Sequence, residues 1–121
     1  MLLYKNSAIR HIIKPLENKG YIIDLVGSLS NNNLGYSNND IDILLYLPDN
    51  DRSLFDKFEN DLKSIGYIYN FSDEKEGFGI FHNYRKNRKI GLDVWIDEVD
   101  EKTYNGLYDN RLKHNNIGRI K

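Results

Sequence analysis

Val26-Gly27-Ser28, then eleven residues rich in Asn, then Asp40-Ile41-Asp42-Ile43-Leu44-Leu45-Tyr46-Leu47: the fold turns on how this stretch is read. Val26 closes an apolar run over residues 21–26 that reads as a strand. Gly27-Ser28 breaks it. Glycine has no Cβ, so the backbone can turn sharply there and a ligand can approach closely. Residues 29–39 are dominated by Asn, Ser and Gly, which favour turns and caps, and they read as a polar loop. A second strand follows over residues 40–47. Side chains alternate across a strand, so Asp40 and Asp42 share one face and Ile41 and Ile43 the other. Two carboxylates so placed repel each other, and a cation between them relieves the repulsion. A solvated strand edge is the simpler account of an Asp-x-Asp pair. Residues 43–47 are apolar on both faces, which instead indicates a central strand covered on both sides.

Working outward, Ile9, Ile12, Ile13 and Leu16 repeat at helical spacing, with Asn6 or Ser7 available as N-cap and Gly20 as terminator. Pro15 lies inside that pattern and predicts a kink or an early end, because it has no N–H to donate. Residues 48–51 form a turn that doubles as a helix start. Leu54, Phe55, Phe58, Leu62 and Ile65 then make an apolar stripe ending at Gly66. Residues 67–71 predict a short strand and 72–77 an acidic loop. Residues 78–84 and 90–96 predict the arms of a hairpin joined by a basic turn containing Arg85, Lys86 and Arg88. In the second arm Asp93, Trp95 and Asp97 share a face. An aspartate between Leu92 and Val94 in mid-strand is costly unless it has a partner. Beyond Glu98 the apolar pattern weakens. Tyr104, Leu107, Tyr108 and Leu112 predict a short helix, and residues 117–120 a last strand.

The chain of 121 residues predicts one α+β domain, a mixed β-sheet with helices packed on one face, its core at about residues 5–100. It is 40% apolar and 29% charged, as expected of a soluble protein, and the cytoplasm is the expected location. No run approaches the ~18 apolar residues of a membrane span. Seventeen basic against eighteen acidic residues leave a net charge of −1, so any contact with nucleic acid must come from a local patch. The absence of cysteine excludes disulfides and thiolate metal sites. His11, His82 and His114 show no ligand spacing and read as structural or surface residues.

Strand, Gly-Ser, polar segment and a strand opening on Asp-x-Asp together resemble the nucleotidyltransferase superfamily that includes DNA polymerase β. Gly27, Ser28, Asp40, Ile41, Asp42 and Ile43 fill its signature positions. Asp93, in the setting Gly91-Leu92-Asp93-Val94, fills that of the third carboxylate on a later strand, with Asp97 ranked behind it. The resemblance implies that Asp40, Asp42 and Asp93 hold Mg2+ or Mn2+. An all-oxygen site suits these ions better than zinc. It also implies NTP as co-substrate, with Gly27 and Ser28 binding its β- and γ-phosphates. Many relatives carry basic residues shortly after Gly-Ser, and here residues 29–33 have none. The basic turn with Arg85, Lys86 and Arg88 is either a solvated hairpin tip or the substitute for that charge. Trp95 is placed to stack on a base or to serve in the core or a lid.

Two functions of different class follow. One is a metal-dependent enzyme moving a nucleoside monophosphate from an NTP to an acceptor hydroxyl on an RNA or DNA end, a protein or a small molecule, with release of pyrophosphate. The other is an inactive module of the same fold that binds nucleotide, nucleic acid or a partner protein. Three carboxylates favour the enzyme, while the missing basic residues and small size favour the module. A metal-dependent phosphodiesterase lacks a supporting histidine cluster.

Overall fold

A computed structural model describes residues 3–31, 35–37, 40–49, 51–86 and 91–115. In chain order the elements are β1 (Leu3–Tyr4), α1 (Lys5–Ala8), a π-helical turn (Ile9–Ile13), α2 (Lys14–Asn18), β2 (Ile23–Val26), α3 (Gly27–Asn31), β3 (Tyr36–Ser37), β4 (Ile41–Pro48), α4 (Arg52–Ser64), β5 (Ile68–Lys75), β6 (Gly79–Arg85), β7 (Gly91–Val99) and α5 (Glu101–Asn115).

The Asp-x-Asp strand is central, as expected. Five strands lie in the order β2-β4-β7-β6-β5, with β4 and β7 parallel and every other pair antiparallel. Strand β4 alternates strictly. Ile41, Ile43, Leu45 and Leu47 are buried, whereas Asp42, Leu44 and Tyr46 are only half-buried. The expectation of a strand covered on both sides is therefore corrected: one face is core, and the other carries polar groups. The core face meets Ala8, Ile12, Ile13 and Leu16 of the first helical segment and Phe55, Phe58 and Leu62 of α4. A fully buried Leu, Ile or Phe contributes on the order of 1.5–3 kcal/mol, so this layer dominates the stability.

The helix ends show where local chemistry departed from expectation. The first helix starts at Lys5, with Tyr4 as N-cap and no side-chain cap, rather than at Asn6 or Ser7. The Lys5 N–H instead donates to the Gly35 carbonyl at 2.7 Å, so backbone does the work of a capping side chain. Pro15 does not end the helix early; of the kink or early end expected, what the structure shows is a local distortion. The turn before it widens to π geometry, the Lys14 N–H reaches back to the Ile9 carbonyl, and α2 continues to Asn18. Gly20, at φ +100°, follows the helix end. Asp51 caps α4 by accepting from the Leu54 N–H at 3.1 Å.

Two polar segments expected as loops contain regular elements among their described residues. Residues 29–39 begin inside α3, where Leu29 is buried, and include β3, which pairs with β1. The acidic run from Ser72 is the second half of β5, paired with β6 as far as Lys75↔Gly79. Polar residues are tolerated there because β5 is an edge strand, and all eight of its residues are exposed. A bulge between Tyr69 and Phe71 bends it. The expected hairpin partner of β6, residues 90–96, does pair with it as β7, but so does β5.

Helix α5 is the helix expected there, longer than its apolar pattern predicts; it half-buries Tyr104, Leu107 and Tyr108 and is tied down by an arginine. Arg111 bonds Asp24 at 2.5 Å and the Ile23 carbonyl at 3.0 Å, and lies 3.8 Å from Glu17. The strand expected over residues 117–120 lies outside the described residues. Among the described residues no helix is long and apolar enough to cross a membrane.

Candidate functional site

The parallel pairing of β4 with β7 sets Ile41 beside Leu92, Asp42 beside Asp93 and Ile43 beside Val94. Because side chains alternate, both aspartates rise from the face opposite the helical layer. Each is half-buried and each accepts one hydrogen bond from a neighbouring side chain. The Trp95 indole N–H donates to Asp42 Oδ1 at 3.1 Å, and the Asn83 amide donates to Asp93 Oδ1 at 2.6 Å. Burial pushes the Asp42 carboxyl above the usual carboxylate range, and the Asp40 charge adds to this. The Trp95 bond and the Lys75 ammonium pull the other way. Burial likewise raises Asp93, reinforced by Asp42 and Asp40 and opposed by Asn83 and Arg85. Two adjacent carboxylates, each made more basic by burial and by its neighbours' charge, suit a hard divalent cation.

Asp40 is engaged by donors of its own and shares the Asn83 amide with Asp93. It stands just before β4, and its Oδ1 accepts the Gly91 N–H at 2.8 Å, taking the place of the next backbone rung to β7. Its Oδ2 lies 3.4 Å from both Arg85 Nη2 and Asn83 Nδ2. Repulsion within the Asp-x-Asp pair is thus met by N–H donors around Asp40. Among the described residues no three His, Asp or Glu side chains stand at metal-holding spacing. What the register brings together is the Asp42 and Asp93 pair, with Asp40 acting on both through its charge.

Gly27 closes the site at the end of β2. Its φ is +73°, and a Cβ there would stand 2.5 Å from Asp42 Oδ2 and 2.9 Å from Asp42 Cβ. Only glycine allows the backbone to sit against this carboxylate. Ser28 follows in the first turn of α3. The basic turn is divided. Arg85 reaches Asp40, but the Lys86 stem runs along Gly66, just past α4, and Arg88 lies outside the described residues. Asp97 is exposed farther along β7. His82 points to the helical side, with its ring centre 5.3 Å from that of Phe55 and its Nδ1 2.5 Å from Ser72 Oγ.

Three participants escaped the sequence reading. Asn83 is 1% exposed and fully engaged, giving its N–H to Asp93 and accepting from Asn70 at 3.0 Å. An amide in mid-strand, like Asp93 itself, was the available signal, but only the β6–β7 register pairs the two. Lys75 and Phe78, from the β5–β6 tip, join Gly27, Asp42, Leu44 and Trp95 around a cavity of about 370 Å³. Residues 72–77, read as a loop, gave no hint that the tip folds over this face. No family model matches the chain, and no curated relative was found for it.

Proposed function

We propose that the protein is a metal-dependent nucleotidyltransferase, moving a nucleoside monophosphate from an NTP to an acceptor hydroxyl with release of pyrophosphate. The observation that carries this reading is Asp42 beside Asp93 in parallel register, on the face the core helices leave open, with the Gly27 turn packed on Asp42. Gly27, Ser28, Asp40, Asp42 and Asp93 are also the residues through which the sequence resembles that superfamily.

In such a transfer the acceptor oxygen bonds to the α-phosphorus while the bond to the α–β bridging oxygen breaks, and pyrophosphate leaves with that electron pair. Magnesium or manganese, when bound, supplies positive charge to the attacking and leaving oxygens. Asp42 and Asp93 would hold the cation, with Asp40 as the third carboxylate. Asp93, oriented by the Asn83 amide, stands where it would take the proton of the acceptor hydroxyl. Gly27 and Ser28 receive the phosphates through backbone N–H groups. A cytoplasmic setting belongs to the same proposal. Incubation with each labelled NTP and magnesium, alone and with candidate acceptors, tests it: pyrophosphate release that Asp93→Asn abolishes is the expected result.

One observation favours a second reading, a non-catalytic nucleotide-binding module: both oxygens of Asp40 already accept from the protein, Oδ1 from the Gly91 N–H and Oδ2 from Arg85. Calorimetry separates the two, since the module binds an NTP without ever releasing pyrophosphate.

A further inference from the structure

The charge a triphosphate needs is missing from the segment where the resemblance would put it, since residues 29–39 contain neither Lys nor Arg. The structure brings a cation to Asp42 from another direction. At the tip of the β5–β6 hairpin the Phe78 N–H donates to the Lys75 carbonyl at 2.9 Å, and Gly77 and Gly79 adopt φ of +81° and +99° on either side of Phe78. This turn folds the tip over the carboxylate face. The Lys75 charge acts on Asp42, and Lys75 Nζ lies 5.1 Å from the Phe78 ring centre. The Phe78 ring meets that of Trp95 edge to face at 6.4 Å, and Phe81, the partner of Trp95 across β6 and β7, lies beside it at 4.9 Å.

Phe78 is 72% exposed, an unusual position for a large apolar ring on a strand turn. Its place is the mouth of the cavity of about 370 Å³ that Trp95, Leu44 and Gly27 also line. That volume is at the lower end of small-ligand pockets, which run roughly 300–1,000 Å³. Its lining mixes aromatic and apolar surface (Trp95, Phe78, Leu44) with two charged groups, the Asp42 carboxylate on the Trp95 indole N–H and the Lys75 ammonium over the Phe78 ring. A nucleotide offers partners for both kinds of surface, a flat base with a π-face and an anion.

We infer that the β5–β6 tip is a nucleotide clamp, in which Trp95 and Phe78 take the base of the NTP and Lys75 takes its phosphates. This rests on the nucleotidyltransferase reading and adds to it the source of base and phosphate contacts. Base stacking on an aromatic side chain is sequence-tolerant, and removal of the ring weakens binding by an order of magnitude or so.

Trp95 is the single tryptophan of the chain and its indole N–H is bonded to Asp42, so its fluorescence reports both the aromatic surface and the carboxylate. Adenosine without magnesium is expected to quench it, Mg·ATP to quench it beyond what magnesium triphosphate does, and inorganic triphosphate to bind by calorimetry. Phe78→Ala is expected to weaken ATP and adenosine about tenfold and to leave triphosphate unchanged. Lys75→Ala is expected to weaken ATP and triphosphate about tenfold and to leave adenosine unchanged, with Lys75→Arg restoring both. Both sites are at an exposed tip, and circular dichroism verifies that the variants fold. Mg·ATP binding that Asp42→Asn removes but neither tip variant alters, or that leaves Trp95 emission unchanged, overturns the clamp and leaves the metal site standing. No calorimetric binding of any NTP to wild type overturns both.

Discussion

Asn83 and Asp93 face each other across β6 and β7, and the Asn83 amide holds Asp93 Oδ1 at 2.6 Å while its own oxygen accepts from Asn70. The buried amide therefore fixes the orientation of one carboxylate of the candidate site and links it to the outer strand. Leaving a buried partner unsatisfied costs about 1–3 kcal/mol. Asn83→Ala should lower stability by roughly that amount in urea unfolding. Asn83→Asp sets a second carboxylate against Asp93, so its melting temperature should fall steeply toward neutral pH and recover in acid. A variant as stable as wild type at neutral pH would remove the proposed role of this pair.

Gly27 provides a steric test of how tightly β2 packs on the site. A methyl group there meets Asp42 Oδ2 at 2.5 Å, and at φ +73° the alanine backbone is itself strained. Gly27→Ala should cost on the order of 1–3 kcal/mol and displace the Asp42 carboxylate. Thermal scans with and without magnesium check both parts. The variant should melt lower and should lose most of the stabilisation that magnesium gives wild type. An unchanged magnesium response would mean that Asp42 and Gly27 are not neighbours in a cation site.

Much of the sheet was legible in the sequence because apolar patterning reports burial. The stripe from Leu54 to Ile65 describes one face of α4, whereas the continuous apolar run over residues 43–47 marks a central strand and hides that only one of its faces is core. Asp42 and Asp93 were identifiable because charge in an apolar strand is costly enough to require a reason. What was not legible depends on register and on contacts between distant elements. Nothing near Asp40 announces that its carboxylate bonds the N–H of Gly91, fifty-one residues away. The polar second half of β5 looked like a loop because an exposed edge strand leaves no apolar signature. Helix α5 shows only a weak apolar signal because its inward residues, Tyr104, Leu107 and Tyr108, are half-buried and Arg111 supplies part of its anchorage.

His82 gives the fold a pH dependence of predictable sign. Burial on the helical side pushes its imidazole below the usual 6.5, helped by Arg52 and opposed by Glu59. Below 6.5 the unfolded chain binds a proton that the folded chain refuses, so this group's contribution to stability is complete above that pH and is lost as pH falls. His82→Gln should flatten the dependence in that window. Urea midpoints measured in steps between about pH 5 and pH 7 for both proteins test this; parallel curves would show that the imidazole does not titrate against the fold.

The aspartates make the opposite prediction, and they separate a cluster kept for binding a cation from one kept for structure. Without a cation, Asp42 holds its charge half-buried and close to Asp40 and Asp93, and burial raises its carboxyl above the usual range. A raised carboxyl contributes stability that is present in acid and lost as pH rises through its folded value, because the folded state retains a proton the unfolded state releases. At neutral pH in EDTA the charge is therefore a net burden. Asp42→Asn keeps an oxygen for the Trp95 indole N–H and removes the charge. It should raise the melting temperature by a few degrees, about what 1 kcal/mol makes in a small domain. Asp40→Ala should do the reverse, because it strips the Gly91 N–H of its acceptor and Arg85 of its ion pair. Excess magnesium should stabilise wild type by mass action and Asp42→Asn far less. Scanning calorimetry of the three proteins, in EDTA and in magnesium, gives all of these values. A lower melting temperature for Asp42→Asn in EDTA, together with a magnesium response equal to that of wild type, would make Asp42 a structural residue and the cation site untenable.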